Sequence, residues 1–254
     1  MNNTTAVAAP LLEVKNLTRA FGSLLATSNV SFGIYPGEIK AVIGPNGAGK
    51  TTLFNLITGS LPPTSGEVFF KNEKISGLSP NAISQKGLAR SFQLLNLFPN
   101  LTVFENLRLA VQVNHDNKKS LLASADHLPG IREKTEQLLE RVRLNKYAYQ
   151  PASQISYGDQ RVLEIALALA TEPTLLMLDE PTSGMSPVES EDIAKLIKEI
   201  SSDLTIVLIE HHIDMVMVLA DSILVMHYGE KLADGTPQDV AADKHVQEAY
   251  LGGF

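Results

Sequence analysis

The sequence contains no cysteine, no long apolar run and no excess of basic residues. Without cysteine, disulfides and thiolate metal sites are excluded. No apolar stretch is long enough to span a bilayer, and residues 1–10 have no basic residue, so we expect neither a membrane span nor a secretory signal. The net charge of −7 argues against a general nucleic-acid binder. We therefore expect a soluble cytoplasmic chain of one large or two small domains, able to sit against a membrane protein.

Residues 44–52, GPNGAGKTT, fit the pattern G-x-x-x-x-G-K-[ST] of a phosphate-binding loop. Residues 39–43 before it predict a buried strand, and residues 53–57 after it predict a helix. This arrangement gathers backbone N–H groups and a positive helix end at one point. Lys50 can reach β- and γ-phosphates, and the Thr51 hydroxyl can bind Mg²⁺. A chance glycine turn before a lysine would not explain why strand, loop and helix agree.

The glycines of this phosphate loop are expected to admit a polyphosphate. Gly44, Gly47 and Gly49 have no side chain to block close approach of the ligand to the backbone. The residues predicted to bind the nucleotide here are Gly44, Asn46, Gly47, Ala48, Gly49, Lys50, Thr51 and Thr52.

Two acidic residues end a predicted buried strand at residues 175–180. Pro173 and Pro181 bound this segment, which is too short for a helix. In P-loop proteins an aspartate at such a strand end holds Mg²⁺, which is the role predicted for Asp179. Glu180, expected to point the other way along the strand, could orient a water toward the γ-phosphate. The alternative is a solvated turn, but the upstream phosphate loop favours catalysis.

Two further polar residues follow predicted strands. Gln93 ends a strand predicted at 88–93 and could reach Mg²⁺ or the attacking water, or simply cap the strand. His211 follows the predicted buried strand 204–210. Parallel strands place their carboxyl ends at one edge, which makes His211 a candidate γ-phosphate contact. His212 is predicted to be a helix-cap residue.

Phe21 lies between strands predicted at 11–17 and 30–35. An aromatic at this distance before a phosphate loop could stack on adenine. Core packing is the alternative interpretation.

Residues 94–160 contain no clear strand pattern. Thr102 and Glu105 predict a capping box at the start of a helix. Residues 131–144 have the spacing of an amphipathic helix. We expect a mostly helical subdomain inserted into an α/β core.

A second potential anion site precedes a helix predicted at 162–170. Ser156 and Gly158 lie in the signature segment, residues 155–161, just before that helix. If two chains pair head to tail, this helix start could close on the nucleotide held by the other chain.

Taken together, these segments resemble ATP-binding cassette proteins over residues 12–251. The segments that carry the resemblance are the phosphate loop, Gln93, residues 156–160, Asp179-Glu180, residues 183–186 and His211. The resemblance implies an α/β fold of the P-loop NTPase class, with a RecA-like core, an N-terminal antiparallel β subdomain and an inserted helical subdomain.

The resemblance also implies domain limits. Residues 1–254 would form one ABC ATPase domain. The nucleotide-binding core with the β subdomain would span 1–93 and 162–254, and the helical subdomain with the signature would span 94–161. Residues 183–186 would occupy the D-loop.

Roles for single residues follow from the same resemblance. Phe21 would stack on adenine, Gln93 would be the Q-loop residue and His211 the switch histidine. Ser156 and Gly158 would contact ATP in trans.

The implied cofactors are ATP and Mg²⁺. Thr51, Gln93 and Asp179 would organise the metal, and Glu180, His211 and Gln93 would be catalytic. Hydrolysis would then be coupled to closure of a dimer.

Finer features look like ATPase subunits of branched-chain amino acid importers. These features are the sequence YGDQR at 157–161, residues 97–103, residues 209–211, the tail 248–252 and the insert at 114–130. Importers for urea or short amides share many of them. A soluble cassette acting on ribosomes or DNA would usually have two cassettes in one chain or a long coiled coil. A nucleotide-dependent regulatory switch would not need both Glu180 and a signature.

The partners implied by this resemblance are integral-membrane permease subunits and a second cassette, identical or different. A substrate-binding protein would act indirectly, and no nucleic acid is expected. The chain would lie on the inner face of the cell membrane, where residues 94–160 would offer a groove to a permease helix.

Several positions depart from the commoner cassette pattern. Tyr157 replaces the first signature glycine and Asp159 replaces a glutamine, as occurs in this subgroup. Val162 and Leu167 stand where such helices commonly have arginine, and His212 stands where aspartate is usual. The lost arginines could weaken contacts near the signature helix or the partner surface.

Overall fold

The computed structural model describes residues 9–91, 97–113 and 130–251. In chain order its strands and helices are β1 (Leu12–Phe21), β2 (Leu24–Ile34), β3 (Ile39–Ile43), α1 (Lys50–Ile57), β4 (Ser65–Phe70), β5 (Glu73–Lys74), α2 (Pro80–Gln85), β6 (Leu88–Arg90), α3 (Val103–Val113), α4 (Ile131–Arg141), α5 (Tyr157–Leu169), β7 (Leu175–Asp179), α6 (Pro187–Ile200), β8 (Thr205–Ile209), α7 (Ile213–Leu219), β9 (Ser222–His227), β10 (Glu230–Gly235), α8 (Pro237–Ala242) and α9 (Lys244–Leu251). They fall into a first unit, Met1–Ile83 with Ser201–Phe254, and a second unit, Ser84–Ile200.

An antiparallel sheet in the first unit has the strand order β2-β1-β4-β5. Its β1–β2 hairpin closes where Phe21 pairs with Leu24. Both strands are longer than those predicted at 11–17 and 30–35, because register shifts between Val14 and Ala20 interrupt the alternation that marks a strand in the sequence. Phe21 is therefore the last residue of a strand, and not part of a loop between strands.

The first unit also contains strands in the order β10-β9-β3-β8. β3 pairs in parallel with both β8 and β9, and β10 is antiparallel to β9. Every residue of β3 and β8 is buried, as predicted for these two segments and as is usual for parallel strands. The register pairs Val42 with Ile209, so β3 and β8 end at one edge. The phosphate loop after β3 and His211 after β8 thus begin at the same edge.

The second unit pairs β6 with β7 in parallel and packs the helices α3, α4 and α5 together. All five residues of β7 are buried. The residues that fill the space between the helices are apolar and buried: Val103, Leu107, Val111, Ile131, Leu138, Leu139 and Leu163. None of the helices in the described part of the chain is long and apolar enough to cross a membrane.

The start of α3 confirms the predicted capping box. The Thr102 N–H and hydroxyl both donate to Glu105 at 2.8 Å, and the Glu105 N–H donates back to Thr102 Oγ1 at 3.1 Å. The hydrogen bond from the Thr102 N–H, supported by the one from its hydroxyl, holds the pKa of Glu105 below its ordinary value. Gln93 and most of the predicted insert, residues 114–129, lie outside the described residues.

Candidate active site

The phosphate loop joins β3 to α1, as predicted, and two of its glycines are required by the chain itself. A Cβ on Gly44 would lie 2.1 Å from the carbonyl oxygen of Met226, and a Cβ on Gly49 would lie 2.2 Å from that of Ala26. Around a Cβ placed on Gly47, no atom of the described residues lies within 4 Å. The expected room for a ligand is therefore found at Gly47, whereas Gly44 and Gly49 let the loop close onto its own unit.

Lys50 begins α1 and is buried within the loop. Its Nζ donates to the carbonyl oxygens of Gly44 at 2.7 Å and Pro45 at 3.1 Å. These bonds fix the ammonium group at the positive end of α1, where an anionic ligand is favoured. Around it Asn46, Gly47 and Thr51 are exposed, Thr52 is half-buried and Ala48 is buried.

His211 lies at the same edge of the first unit as the phosphate loop. Its N–H donates to Oε2 of the buried Glu210 at 3.0 Å, and the residue is exposed. His212 is the N-cap of α7, which confirms the predicted position, but its side chain makes no capping hydrogen bond. The backbones of both histidines are hydrogen-bonded, since the His212 carbonyl oxygen accepts from the Val216 N–H at 3.1 Å.

Phe21 is 47% exposed, which excludes core packing. The Arg19 guanidinium lies 4.7 Å from the centroid of its ring and donates to the carbonyl oxygen of Pro62 at 2.9 Å. A cation against one ring face stabilises the aromatic by a cation–π contact. An exposed ring fixed in this way is suited to stacking on a planar base.

Asp179 is the last residue of β7 and is only 2% exposed. Its Oδ2 accepts a hydrogen bond from Nη2 of Arg90 at 2.6 Å. Oδ1 is buried and has no hydrogen-bond partner among the described residues. An unpaired buried carboxylate oxygen costs free energy, and oxygen is the ligand that Mg²⁺ prefers. Asp179 therefore fits a magnesium site.

Residues 9–91, 97–113 and 130–251 contain no group of three or more histidine, aspartate or glutamate side chains that could hold a metal ion by themselves. Mg²⁺ beside a nucleotide needs few protein carboxylates, since substrate phosphates and waters supply its other ligands. Asp179 Oδ1, which has no protein partner among the described residues, is compatible with that arrangement.

The sequence predicts that Glu180 continues the strand, but the structure shows that it does not. β7 ends at Asp179, and Glu180 has a φ of +51°. This left-handed conformation is uncommon for a residue other than glycine, and it occurs in turns as well as at functional sites. The turn is closed by the Ser183 N–H, which donates to the Glu180 carbonyl oxygen at 3.1 Å. The direction of the Glu180 side chain is therefore set by a turn and not by strand alternation.

The signature segment begins a helix earlier than predicted, because Ser156 caps α5 at Tyr157. Ser156 Oγ accepts from the Asp159 N–H at 3.1 Å and donates to Asp159 Oδ2 at 2.7 Å. Ser156 is exposed, whereas Gly158 is buried and a Cβ there would lie 3.2 Å from Glu189 Oε1. The start of α5 is thus open to solvent at Ser156, and Gly158 permits α5 to approach α6.

Tyr157, which replaces a common glycine, links the signature segment to the D-loop segment, residues 183–186. Its hydroxyl accepts from Arg161 Nε at 3.2 Å and Nη2 at 2.9 Å, and it donates to the Ser183 carbonyl at 3.4 Å. Burial works to lower the pKa of Arg161, but hydrogen bonds to Glu164 and Tyr157 raise it overall. The arginine thus stays charged and fixes the tyrosine.

Arg90 contacts Asp179 although the sequence pattern places it only within the strand predicted at 88–93. A basic residue at the end of an apolar strand and three residues before Gln93 is the signal that could have identified it. Its side chain is only 8% exposed and pairs with Asp179.

Val162 and Leu167, the positions that commonly have arginine, are half-buried on α5.

Comparison with known proteins gives consistent results. Residues 27–183 match the family model described as ABC transporter, and residues 230–254 match the one described as branched-chain amino acid ATP-binding cassette transporter. The high-affinity branched-chain amino acid transport ATP-binding protein LivG of Escherichia coli is 41% identical over 96% of this chain and 98% of its own length.

Solved structures show the same fold. An ATP-binding cassette of an ABC transporter in its ADP conformation has a TM-score of 0.86 and 31% identity, covering 96% of this chain and all of that one. A dimeric cassette in a post-hydrolysis state, bound to ADP and Pi, has a TM-score of 0.75 and 27% identity, covering 89% of this chain and 98% of that one. The predicted α/β P-loop NTPase class is confirmed.

Proposed function

Because this chain belongs to the ABC transporter family, as an ATP-binding cassette of the branched-chain amino acid type, we propose that it powers the uptake of branched-chain amino acids through a membrane permease. The enzyme is an ATPase, and its LivG relative is named for this transport. The observation that carries the proposal is the match to that relative over nearly the whole length of both chains.

The nucleotide is proposed to bind with its adenine on Phe21 and its phosphates on residues 47–52. Backbone N–H groups and Lys50 hold the phosphates, and the open space beside Gly47 supports this placement. The exposed ring of Phe21, backed by Arg19, supports adenine stacking. Gly44 and Gly49 let the loop pack closely against the backbone of its own unit, which maintains the conformation proposed to bind the phosphates.

Hydrolysis is proposed to need a base and a group that steadies the γ-phosphate. Glu180 polarises the attacking water, and His211 stabilises the charge that develops on the γ-phosphate. Thr51, Asp179 and Gln93 are the residues that would hold Mg²⁺. When bound, Mg²⁺ neutralises phosphate charge and orients the phosphates for in-line displacement. Asp179 Oδ1 supports this set because it lacks a protein partner among the described residues.

Each nucleotide is proposed to be shared between two cassettes, identical or different. Ser156 and Gly158 of one chain would complete the site of the other, so that a site forms only when the dimer closes. The exposure of Ser156 and its place at the start of α5 support this role. ATP would then drive closure by its differential affinity for the closed state.

Closure is proposed to move a permease on the inner face of the cell membrane. Residues 94–160 would receive a short permease helix, with a substrate-binding protein acting further along the transporter. Phe98 and Tyr149 support this surface because both are large and mostly exposed, and exposed aromatics are enriched at protein interfaces.

The proposal is tested by uptake in cells that lack this chain. We expect such cells to lose uptake of radiolabelled leucine, isoleucine and valine, and to regain it with the wild-type chain. The Glu180→Gln variant should not restore uptake, because transport needs hydrolysis. Pull-down of the tagged chain from membranes should recover an integral-membrane permease.

Loss of urea or short-amide uptake instead would assign the chain to a related importer. Unchanged uptake of all these solutes, with no permease recovered, would reject the transport proposal. Uptake of proline serves as the control for general damage to the membrane.

A further inference from the structure

Arg90 and Asp179 are brought together by the parallel pairing of β6 with β7. β6 and β7 are in register at Arg90 and Met177, and the Ser91 N–H donates to the Met177 carbonyl oxygen at 2.9 Å. Asp179 follows Met177 by two residues and so emerges on the same side of β7. The Arg90 side chain reaches along that side to Asp179, and both groups are buried.

The hydrogen bond between Arg90 and Asp179 involves one of the two carboxylate oxygens. Arg90 Nη2 lies 2.6 Å from Oδ2 of Asp179, while Oδ1 is buried with no hydrogen-bond partner in the described part of the chain. A carboxylate bonded through one oxygen cannot rotate freely, so the position of the other oxygen is fixed as well. Carboxylates that ligate metals are commonly held by such outer partners, and loss of the partner typically weakens metal affinity.

We infer that Arg90 is a positioning residue for magnesium, which fixes Asp179 through Oδ2 and leaves Oδ1 for the cation or its bound water. This inference rests on the proposed nucleotide function and adds a residue to it. This role requires no movement of β6 or β7, because the hydrogen bonds between the two strands already set the geometry.

Two effects of Arg90 on a cation oppose each other. Its positive charge repels Mg²⁺ and would weaken binding. Its hydrogen bond orients the carboxylate and would strengthen binding. Removal of Arg90 therefore raises the metal concentration needed for half-saturation if orientation dominates, and lowers it if repulsion dominates. Because Oδ1 is held in a fixed position with no protein partner among the described residues, we assign the larger effect to orientation.

The test is a titration of the protein with Mn²⁺, which stands in for Mg²⁺ and is followed by electron paramagnetic resonance. Saturating AMP-PNP, a non-hydrolysable ATP analogue, removes turnover from the measurement. We expect Arg90→Met to raise the Mn²⁺ midpoint by about ten-fold or more, the usual size of a lost outer partner. Arg90→Lys, which keeps a charged donor but loses the planar fork, should give an intermediate midpoint.

The matched control is Arg132→Met. Arg132 pairs with Glu136 at 2.9 Å but is exposed, so its loss should leave the midpoint unchanged. Thermal unfolding without nucleotide separates folding from metal binding. Arg90→Met leaves the Asp179 charge buried and unpaired and should lower Tm, and the added change Asp179→Asn should restore it. Should Arg90→Met fail to fold, Arg90→Lys carries the titration.

An unchanged or lowered Mn²⁺ midpoint in the folded Arg90 variants would overturn the inference. The Asp179→Asn variant distinguishes this failure from that of the proposed function. If Asp179→Asn raises the midpoint and the Arg90 variants do not, only the role of Arg90 is rejected. If Asp179→Asn leaves the midpoint unchanged, the metal assignment itself is wrong and the Arg90 inference falls with it.

Discussion

Lys50→Ala weakens ATP binding by about 10- to 100-fold, because a charge-assisted hydrogen bond is worth roughly 1.5–3 kcal/mol. The wild-type ammonium is already fixed against the carbonyl oxygens of Gly44 and Pro45, so little ordering is needed when phosphates arrive. Alanine removes both the charge and this preorganisation. The dissociation constant is measured by titration with a fluorescent ATP analogue in the absence of hydrolysis.

Lys195→Ala is the control for the loss of a positive charge. Lys195 is exposed and pairs with Asp192 on the surface, so its removal should leave nucleotide affinity unchanged. Thermal unfolding of Lys50→Ala shows whether the loop has lost its shape together with the hydrogen bonds to Gly44 and Pro45. An unchanged dissociation constant in a folded Lys50→Ala protein would contradict the assignment of the phosphate loop.

Glu180→Gln lowers the rate of ATP hydrolysis by about 10²- to 10⁴-fold, the usual contribution of a positioned general base. Glutamine keeps the size and shape of the side chain but cannot accept the proton of the attacking water. ATP affinity should stay within about two-fold of the wild-type value, because the phosphates are held by residues 47–52. Single-turnover hydrolysis and nucleotide titration measure the two quantities separately.

Glu172→Gln is a matched control for the unusual backbone at Glu180. Glu172 has a φ of +52°, against +51° for Glu180, and pairs with Lys134 on the surface of the same unit. Its replacement tests whether glutamine is tolerated in a left-handed conformation, and hydrolysis should be unaffected. Near-normal hydrolysis by Glu180→Gln would remove Glu180 from the role of base.

Features written in contiguous residues could be predicted from the sequence. The pattern of residues 44–52, the buried strands around residues 39–43 and 205–209, and the capping box of Thr102 and Glu105 all depend on neighbours in the chain. Local hydrogen bonds and apolar runs determine such elements, so the order of residues is enough.

Features that depend on distant residues could not be predicted. Gly44 and Gly49 are required by the carbonyl oxygens of Met226 and Ala26, which lie far away in the sequence. The sequence pattern assigns both glycines to ligand binding, because nothing in it shows which part of the backbone packs against the loop. The strands predicted for the β1–β2 hairpin are too short for a related reason. Register shifts between the two strands hide the alternation by which a strand is identified in the sequence.

The chemistry around Asp179 shows the same limit. The sequence identified Asp179 and Glu180 from their place after an apolar run, but not the arginine that pairs with the first or the turn that redirects the second. Arg90 precedes Asp179 by 89 residues, and only the parallel pairing of β6 with β7 brings them together. A backbone with positive φ at Glu180 has no residue signature, since glutamate has no special preference for it.

The account depends on one triphosphate being enclosed by two cassettes, with Ser156 of one closing the site of the other. The most direct measurement is the mass of the Glu180→Gln protein by light scattering, with and without ATP. Where the transporter uses two different cassettes, the second is included. We predict that ATP doubles the mass, and that adding Ser156→Arg keeps the protein at single-chain mass while ATP binding persists. Doubling in both proteins, or in neither, would contradict the shared site.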